Sequence, residues 1–322
     1  MSEIVLKVED LHTSFFTRQG EVKAVDGVSF YVREAETFGI VGESGCGKTV
    51  TGLSILRLLP EPGGRIVGGK IIMEGKNLME LNKKAMRAYR GKMISMILQD
   101  PMTSLNPVYT VGDQIGESVK LHQALPDDMV HDEVISALRL LKIPAPEQRL
   151  RDFPFQMSGG MRQRVVGAIA MSCHPRLLIA DEPTTALDAT IQAQYIALFK
   201  DVQKKTNVAI ILITHDFGVV ANICHRVGVM YAGKIVETAK TRDLFKAPRH
   251  PYTVALINSV PRLEKKDERL YSIEGQPPSM LDLPPGCRFV PRCPSAKEVC
   301  SKQEPPEVEV GEEHTVSCWR TS

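Results

Sequence analysis

Apolar residues along this chain fall into short blocks that alternate with longer stretches of helical spacing. Thr37-Phe38-Gly39-Ile40-Val41 is a nearly continuous apolar run of strand length that leads into a glycine-rich turn. Residues 49–59 then change to helical spacing and stop at Pro60-Glu61-Pro62-Gly63-Gly64, a cluster of helix breakers. Strand-length runs recur at 92–98, 177–180, 208–213 and 226–231, with a helical pattern over 191–204, and residues 4–8 read as an edge strand. Strands alternating with helices predict a largely parallel α/β sheet whose reactive residues sit at the carboxyl ends of its strands. From about Asp100 to Gly167 the pattern turns helical. There, residues 131–142 place Val134, Ile135, Ala137, Leu138 and Leu141 on one face, which predicts a helical insertion. Beyond about Thr241 the periodicity fades, and paired prolines at Pro277-Pro278, Pro284-Pro285 and Pro305-Pro306 predict a loop-rich tail that burial alone orders poorly.

Length and charge narrow this picture. The 322 residues suit about two domains at ~150 residues each. Forty Lys and Arg against thirty-eight Asp and Glu leave a net charge of +2, which argues against a basic nucleic-acid coat and against an acidic disordered tail. No uncharged apolar run approaches the ~18 residues of a membrane span. The start, Met1-Ser2-Glu3-Ile4-Val5-Leu6-Lys7, lacks the basic-then-apolar order of a secretory leader, so a cytosolic chain is expected. Cys46, Cys173 and Cys224 are scattered, whereas Cys287, Cys293, Cys300 and Cys318 crowd the C-terminal end. In a reducing compartment such a crowd reads as a metal site before it reads as disulfides. Four thiolates suit zinc or an iron–sulfur cluster, and the two-residue gaps common in structural zinc sites are absent.

Three segments carry chemistry. Gly42-Glu43-Ser44-Gly45-Cys46-Gly47-Lys48-Thr49 fits G-x-x-x-x-G-K-[ST], follows a strand and opens a helix. Its backbone N–H groups would cradle phosphate, Lys48 would reach the β- and γ-phosphates, and the Thr49 hydroxyl would ligate Mg²⁺. Leu177-Leu178-Ile179-Ala180-Asp181-Glu182 is an apolar strand ending in two carboxylates that point to opposite sides. Asp181 would hold Mg²⁺ and Glu182 would polarise the attacking water. Met157-Ser158-Gly159-Gly160-Met161-Arg162-Gln163-Arg164 offers Ser158 as a helix cap and two glycines for close backbone approach to an anion. Taken singly, each has a plainer reading: a glycine turn, a strand ended by solvated acids, a capped surface helix. Their order is what selects the chemistry.

With these residues in place, the chain resembles the ATP-binding cassette (ABC) ATPases over about residues 4–237. That resemblance implies an α/β P-loop NTPase core, residues 1–240, with a helical subdomain inserted at about 100–167 and a cysteine-containing extension over 241–322. It implies that Gln99 senses Mg²⁺ and transport, that Asp181 and Thr49 share the Mg²⁺, and that Glu182 and His215 are catalytic. Ala186-Leu187-Asp188 falls in the place of the dimer-contacting loop. Phe15, in preference to Phe16, would stack on adenine, while Ser44, Gly45, Cys46 and Gly47 complete the phosphate cradle. Ser158, Gly159 and Gly160 would act on the nucleotide of a second cassette. Met161 stands where the family usually has Gln, and Cys46 would make the loop sensitive to thiol reagents.

The segment Gln99-Asp100-Pro101-Met102-Thr103-Ser104-Leu105-Asn106-Pro107, the segment Arg249-His250-Pro251-Tyr252-Thr253 and the cysteine-rich tail narrow the resemblance. They are similar to the ATPase subunits of dipeptide and oligopeptide importers and their nickel-import relatives. The resemblance implies a second ATPase subunit as heterodimer partner, two transmembrane permease subunits, and indirect work with an extracytoplasmic substrate-binding protein. It places the chain peripherally on the cytoplasmic face of the membrane. It also implies a [4Fe–4S] cluster on Cys287, Cys293, Cys300 and Cys318, with Zn²⁺, free thiols or a disulfide as alternatives. The cluster is far in sequence from Lys48 and Glu182, so removing one of its ligands is expected to destabilise the tail while leaving nucleotide binding largely intact. Competing readings are a nickel or other small-solute importer ATPase, and a soluble cassette ATPase outside transport.

Overall fold

A computed structural model describes residues 3–99, 104–185, 187–260 and 271–321. Asp100, Pro101, Met102 and Thr103 of the importer-like segment, and Ala186 of the loop after Glu182, lie outside the described residues. The strands are β1 (Ile4–Thr17), β2 (Gly20–Arg33), β3 (Thr37–Val41), β4 (Gly64–Met73), β5 (Lys76–Asn77), β6 (Ile94–Ile97), β7 (Leu177–Asp181), β8 (Ala209–Thr214), β9 (Arg226–Tyr231), β10 (Lys234–Lys240), β11 (Glu307–Gly311) and β12 (His314–Ser317). The chain forms two compact units. One contains Met1–Leu6, Val32–Thr37 and Met73–Leu212; the other contains Lys7–Tyr31, Phe38–Ile72 and Ile213–Ser322.

In the first unit β6 and β7 run parallel, with Ile97 opposite Ala180, and every residue of β7 is buried. A strand covered on both faces reads in sequence as an unbroken apolar run, which is how Leu177–Asp181 reads. The expected helical stretch is present as the helices Val111–Gln123, Asp127–Leu140 and Gly159–Met171, which pack on one another. Thr110 opens the first with a reciprocal capping box to Asp113. Val130, Val134, Ile135, Ala137 and Leu138 form the buried stripe of the second, the face that sequence spacing picks out.

In the second unit β3 runs parallel to β9, with Val41 opposite Val229. β10 returns antiparallel to β9, β12 pairs antiparallel with β10, and β11 with β12. A second sheet carries the order β2-β1-β4. The N-terminal strand is therefore no edge: β1 is flanked on both sides and spans 14 residues. Its second half is obscured in sequence because Thr13 and Ser14 are buried polar residues, Thr13 sharing a hydroxyl hydrogen bond of 2.8 Å with Ser54.

The tail also differs from expectation. It carries the helices Thr241–Lys246 and Pro251–Asn258, and its β11–β12 hairpin extends the sheet. Phe289, Tyr252 and Tyr231 are each almost wholly buried, with ring centroids 4.5 to 5.4 Å apart. Ladder hydrogen bonds and a few large aromatic rings give this segment order that its polar composition conceals. Phe289→Ala should lower unfolding free energy by about 3–5 kcal/mol in a urea titration of the full chain. An unchanged midpoint would mean that the aromatic cluster does not hold the tail.

Candidate nucleotide site

β3 delivers the chain into the 42–49 loop, whose two outer glycines are sterically required. A Cβ on Gly42 would lie 2.1 Å from the Met230 carbonyl oxygen, and one on Gly47 would lie 2.2 Å from that of Ala24. Gly47 also has φ 107 and caps the helix Lys48–Leu56. Lys48 is 5% exposed, and its ammonium donates to the carbonyls of Gly42 (2.8 Å) and Glu43 (2.9 Å). Neutral carbonyls are weaker partners for an ammonium than phosphate oxygens, so the charge is held where a polyphosphate outcompetes them. Ser44 and Gly45 are exposed in the loop, and Thr49 is half-buried in the first helical turn.

Cys46 bears on one expectation. It is 6% exposed, beneath the loop against Gly42, and burial raises its thiol pKa despite the opposing charge of Lys48. A buried thiol with a raised pKa is a weaker nucleophile than an exposed one, which works against the expected sensitivity to thiol reagents. Phe15 is half-buried with its ring edge against Gly64, while Phe16 is 48% exposed with the Arg65 guanidinium over its ring.

The carboxylate pair lies at the end of β7. Asp181 is 1% exposed. Glu182 follows in the left-handed region at φ 45, a conformation costing about 1–3 kcal/mol that a surrounding structure must enforce. Its carboxylate accepts the Gln99 amide (3.2 Å) and the Thr185 hydroxyl (3.0 Å). Gln163, 1% exposed on the helix Gly159–Met171, donates to the Pro183 carbonyl and fixes the next residue of the chain. Thr185 and Gln163 carry no motif signal of their own, although a buried amide on a helix that is otherwise apolar where buried is the sort of polar exception that marks a tether.

Ser158 caps the helix Gly159–Met171 by accepting the Met161 N–H at 3.3 Å, as its sequence position predicts. Ser158 and Gly159 are exposed, and nothing lies within 4 Å of a Cβ placed on Gly159. Met161 contributes here through its backbone. Asp188 caps the helix Ala189–Thr206. His215 is exposed immediately after β8. The Thr214 hydroxyl accepts the Asp216 N–H (3.0 Å), and Asp216 caps the helix Phe217–Ile223. The structure thus brings Gln99 to Glu182 in the first unit, and holds the Lys48 loop, Phe15 and His215 in the second.

Sequence reasoning missed the tail's hold on the loop. Arg292 makes a two-pronged ion pair with Glu43 at 2.7 and 2.9 Å, its side chain only 2% exposed. The Tyr252 hydroxyl accepts the Glu43 N–H at 2.9 Å, and the Tyr252 N–H donates to His250 Nδ1 at 3.0 Å. Buried Glu237 accepts the N–H groups of Arg249 and His250 and the Nε2 of His314. The tail, distant in sequence from Lys48, is thus tied directly to the second residue of the loop. Partners separated by 209 and 249 residues leave no local signal.

The four tail cysteines lie in the same unit, and all seven cysteines of the chain are free thiols. The Cys287 N–H donates to the Cys300 carbonyl at 2.7 Å, and that carbonyl would lie 2.2 Å from a Cβ on Gly286, so only glycine permits this approach. Burial pushes the Cys287 thiol up to about 11, and neighbouring Cys318, Cys300 and Cys293 raise it further. Burial likewise raises Cys293 and Cys318. Among the described residues no group of three or more His, Cys, Asp or Glu stands in a metal-holding arrangement.

A strand feeding a glycine loop and helix, a strand ending in Asp-Glu and a Ser-capped Gly-Gly helix start define an ATP-hydrolysing P-loop cassette. Residues 25–185 match the ABC transporter family, and residues 236–300 match the oligopeptide/dipeptide transporter C-terminal region. The chain is 52% identical over 317 residues to the dipeptide transport ATP-binding protein DppD of Bacillus subtilis, covering 98% of this chain and 95% of that one. It is 46% identical over 304 residues to the oligopeptide transport ATP-binding protein OppD of Salmonella typhimurium, covering 94% and 90%. Of solved structures, cbiO1 of Clostridium perfringens, part of the ABC transporter complex cbiONQ, matches at TM-score 0.66 and 25% identity over 76% of this chain and 92% of that one. The ATP-binding cassette MJ0796 bound to ADP and Pi shares the fold, at TM-score 0.64 and 22% identity over 74% and 99%. The chain belongs to the ABC transporter ATP-binding proteins, in the group that carries the oligopeptide/dipeptide transporter C-terminal region. It is the ATP-hydrolysing subunit of a transporter and uses ATP with Mg²⁺. Among the described residues no helix is long and apolar enough to cross a membrane.

His250 makes the tail's hold on the loop pH-sensitive. Burial lowers its pKa from 6.5 to about 4. Between those values the unfolded chain binds the extra proton, so the His250 contribution is complete above pH 6.5 and is lost as pH falls toward 4. Its size is roughly 3 kcal/mol. Urea midpoints of the wild type should fall more steeply between pH 6.5 and 4 than those of His250→Asn. Parallel profiles would refute the assignment.

Proposed function

We propose that this subunit energises import of di- and oligopeptides, with Lys48 and the 42–49 backbone binding the ATP phosphates and Glu182 acting as the general base. The hydrogen bond from the Gln99 amide to the Glu182 carboxylate supports this reading, because it orients a carboxylate and ties it to a residue that senses the transporter. Glu182 draws a proton from water as its oxygen attacks the γ-phosphorus, and ADP departs. His215 contacts the γ-phosphate and Phe15 stacks on adenine. Thr49, Gln99 and Asp181 carry the oxygen donors that Mg²⁺ prefers and would be its ligands, and the ion would supply positive charge to offset that of the phosphates.

Ser158 and Gly159, both exposed, together with Gly160, complete the nucleotide site of a second, non-identical ATPase subunit. The pair sits peripherally at the cytoplasmic face of two permease subunits, and a substrate-binding protein delivers peptide on the other side. Residues 1–240 act as the cassette, with 100–167 as its helical subdomain and 241–322 as the extension. Cys287, Cys293, Cys300 and Cys318 hold a [4Fe–4S] cluster. The four cysteines lie in one unit and an all-thiolate set suits iron–sulfur chemistry, although their side chains stand in no metal-holding arrangement and would have to converge on the cluster.

Two measurements test these assignments. Glu182→Gln keeps the side-chain shape and removes the base, so the assembled complex should bind ATP while phosphate release falls by about 10²–10⁴-fold. A near wild-type rate would overturn the role. Anaerobically purified protein should be brown, with iron and acid-labile sulfide in equal amounts, and should lose both on Cys293→Ser. Stoichiometric zinc with no iron after anaerobic reconstitution would overturn the cluster.

A further inference from the structure

Glu43, the second residue of the phosphate loop, is gripped twice by the C-terminal extension. Its carboxylate is paired with both terminal nitrogens of Arg292, and its backbone N–H is bonded to the Tyr252 hydroxyl. Arg292 is itself fixed from several directions. Its Nε donates to the Glu274 carbonyl at 3.1 Å, and its guanidinium lies about 6 Å from the ring centres of Tyr231 and Phe289. It ends the short turn Val290–Arg292, directly before Cys293. On the other side, the Glu43 carbonyl is one of the two oxygens that hold the Lys48 ammonium. A continuous set of contacts thus runs from the extension through Glu43 to the lysine of the loop.

The charge balance matters as much as the geometry. A glutamate in a phosphate-binding loop repels a polyphosphate, and Glu43, 29% exposed, is only partly screened by water. With Arg292 bound to both carboxylate oxygens, the pair is neutral and the loop presents only Lys48 and its N–H groups. We propose that Arg292 is a positioning residue for ATP binding. It holds Glu43 away from the bound phosphates and compensates its charge, so that nucleotide affinity depends on the extension being docked. The inference rests on the assignment of the 42–49 loop to ATP. It goes beyond that assignment by giving the extension a part in nucleotide binding.

Affinity of the full-length chain for Mg²⁺ with a fluorescent ATP analogue, measured beside its thermal midpoint, tests the proposal. Arg292→Met should weaken binding about tenfold or more, because it leaves an uncompensated carboxylate in the loop. Adding Glu43→Gln to that variant should restore affinity to within about threefold of wild type, since the repelling charge is gone. A purely structural role for Arg292 gives a lowered midpoint with affinity unchanged. Arg292→Gln keeps a hydrogen bond while removing the charge, and supplies the same comparison if Arg292→Met does not fold. Unchanged affinity in the folded single variant, or a double variant that binds no better than the single, overturns the proposal. Lys48→Ala separates the two readings. If it alone abolishes binding, the loop assignment stands while the Arg292 role falls; if it leaves binding intact, the loop assignment falls.

Discussion

The burial of Lys48 is the constraint on which the phosphate loop depends. An ammonium that is 5% exposed cannot be left without oxygen partners, and the loop supplies them from Gly42 and Glu43. Those carbonyls reach Lys48 only because the chain doubles back between Gly42 and Gly47, and both positions exclude a Cβ by contacts near 2 Å. The glycines, the lysine and the start of the helix Lys48–Leu56 are therefore one object. None of them makes physical sense without the others.

A second constraint acts on the carboxylates. Asp181 is buried at the end of β7, and Glu182 sits next to it in a left-handed conformation that its own side chain disfavours. Gln99 and Thr185 hold its carboxylate, and Gln163 anchors the carbonyl of the following Pro183. The strain is stored where chemistry is expected and is maintained by residues drawn from a loop, a turn and a helix. That distribution also lets a disturbance near Gln99 reach Glu182 through a single hydrogen bond.

The C-terminal extension acts on the loop as well as on itself. Its hairpin continues the sheet through β10, its aromatic rings pack on Tyr231, and Arg292 and Tyr252 both bind Glu43. Removing one partner of a part-buried Arg–carboxylate pair leaves a stranded charge, so the cost of breaking the contact exceeds its net contribution to stability. Cys287 and Cys293 flank the same short segment, with Cys293 next to Arg292, so anything that binds them acts on a piece of chain already tied to the loop.

The sequence by itself determined the motifs and the buried strands. Thr37–Val41 and Arg226–Tyr231 are read from local pattern at their observed bounds, because a strand covered on both faces must be apolar throughout. The loop 42–49, the Asp181-Glu182 strand end and the Ser158 cap are likewise local, each needing particular residues at fixed spacing. Tertiary structure decided what lay beyond local pattern. β1 is an interior strand although it buries the polar residues Thr13 and Ser14, the Thr13 hydroxyl finding that of Ser54, which periodicity cannot register. Burial raises the Cys46 thiol pKa because the fold desolvates it, although its position near a lysine favours the opposite. Arg292 and Glu43 meet across 249 residues, and ion pairing at that separation leaves no periodic trace in either segment. Spacing along the chain encodes what neighbours do to one another, while burial and long-range charge pairing exist only once the chain has folded.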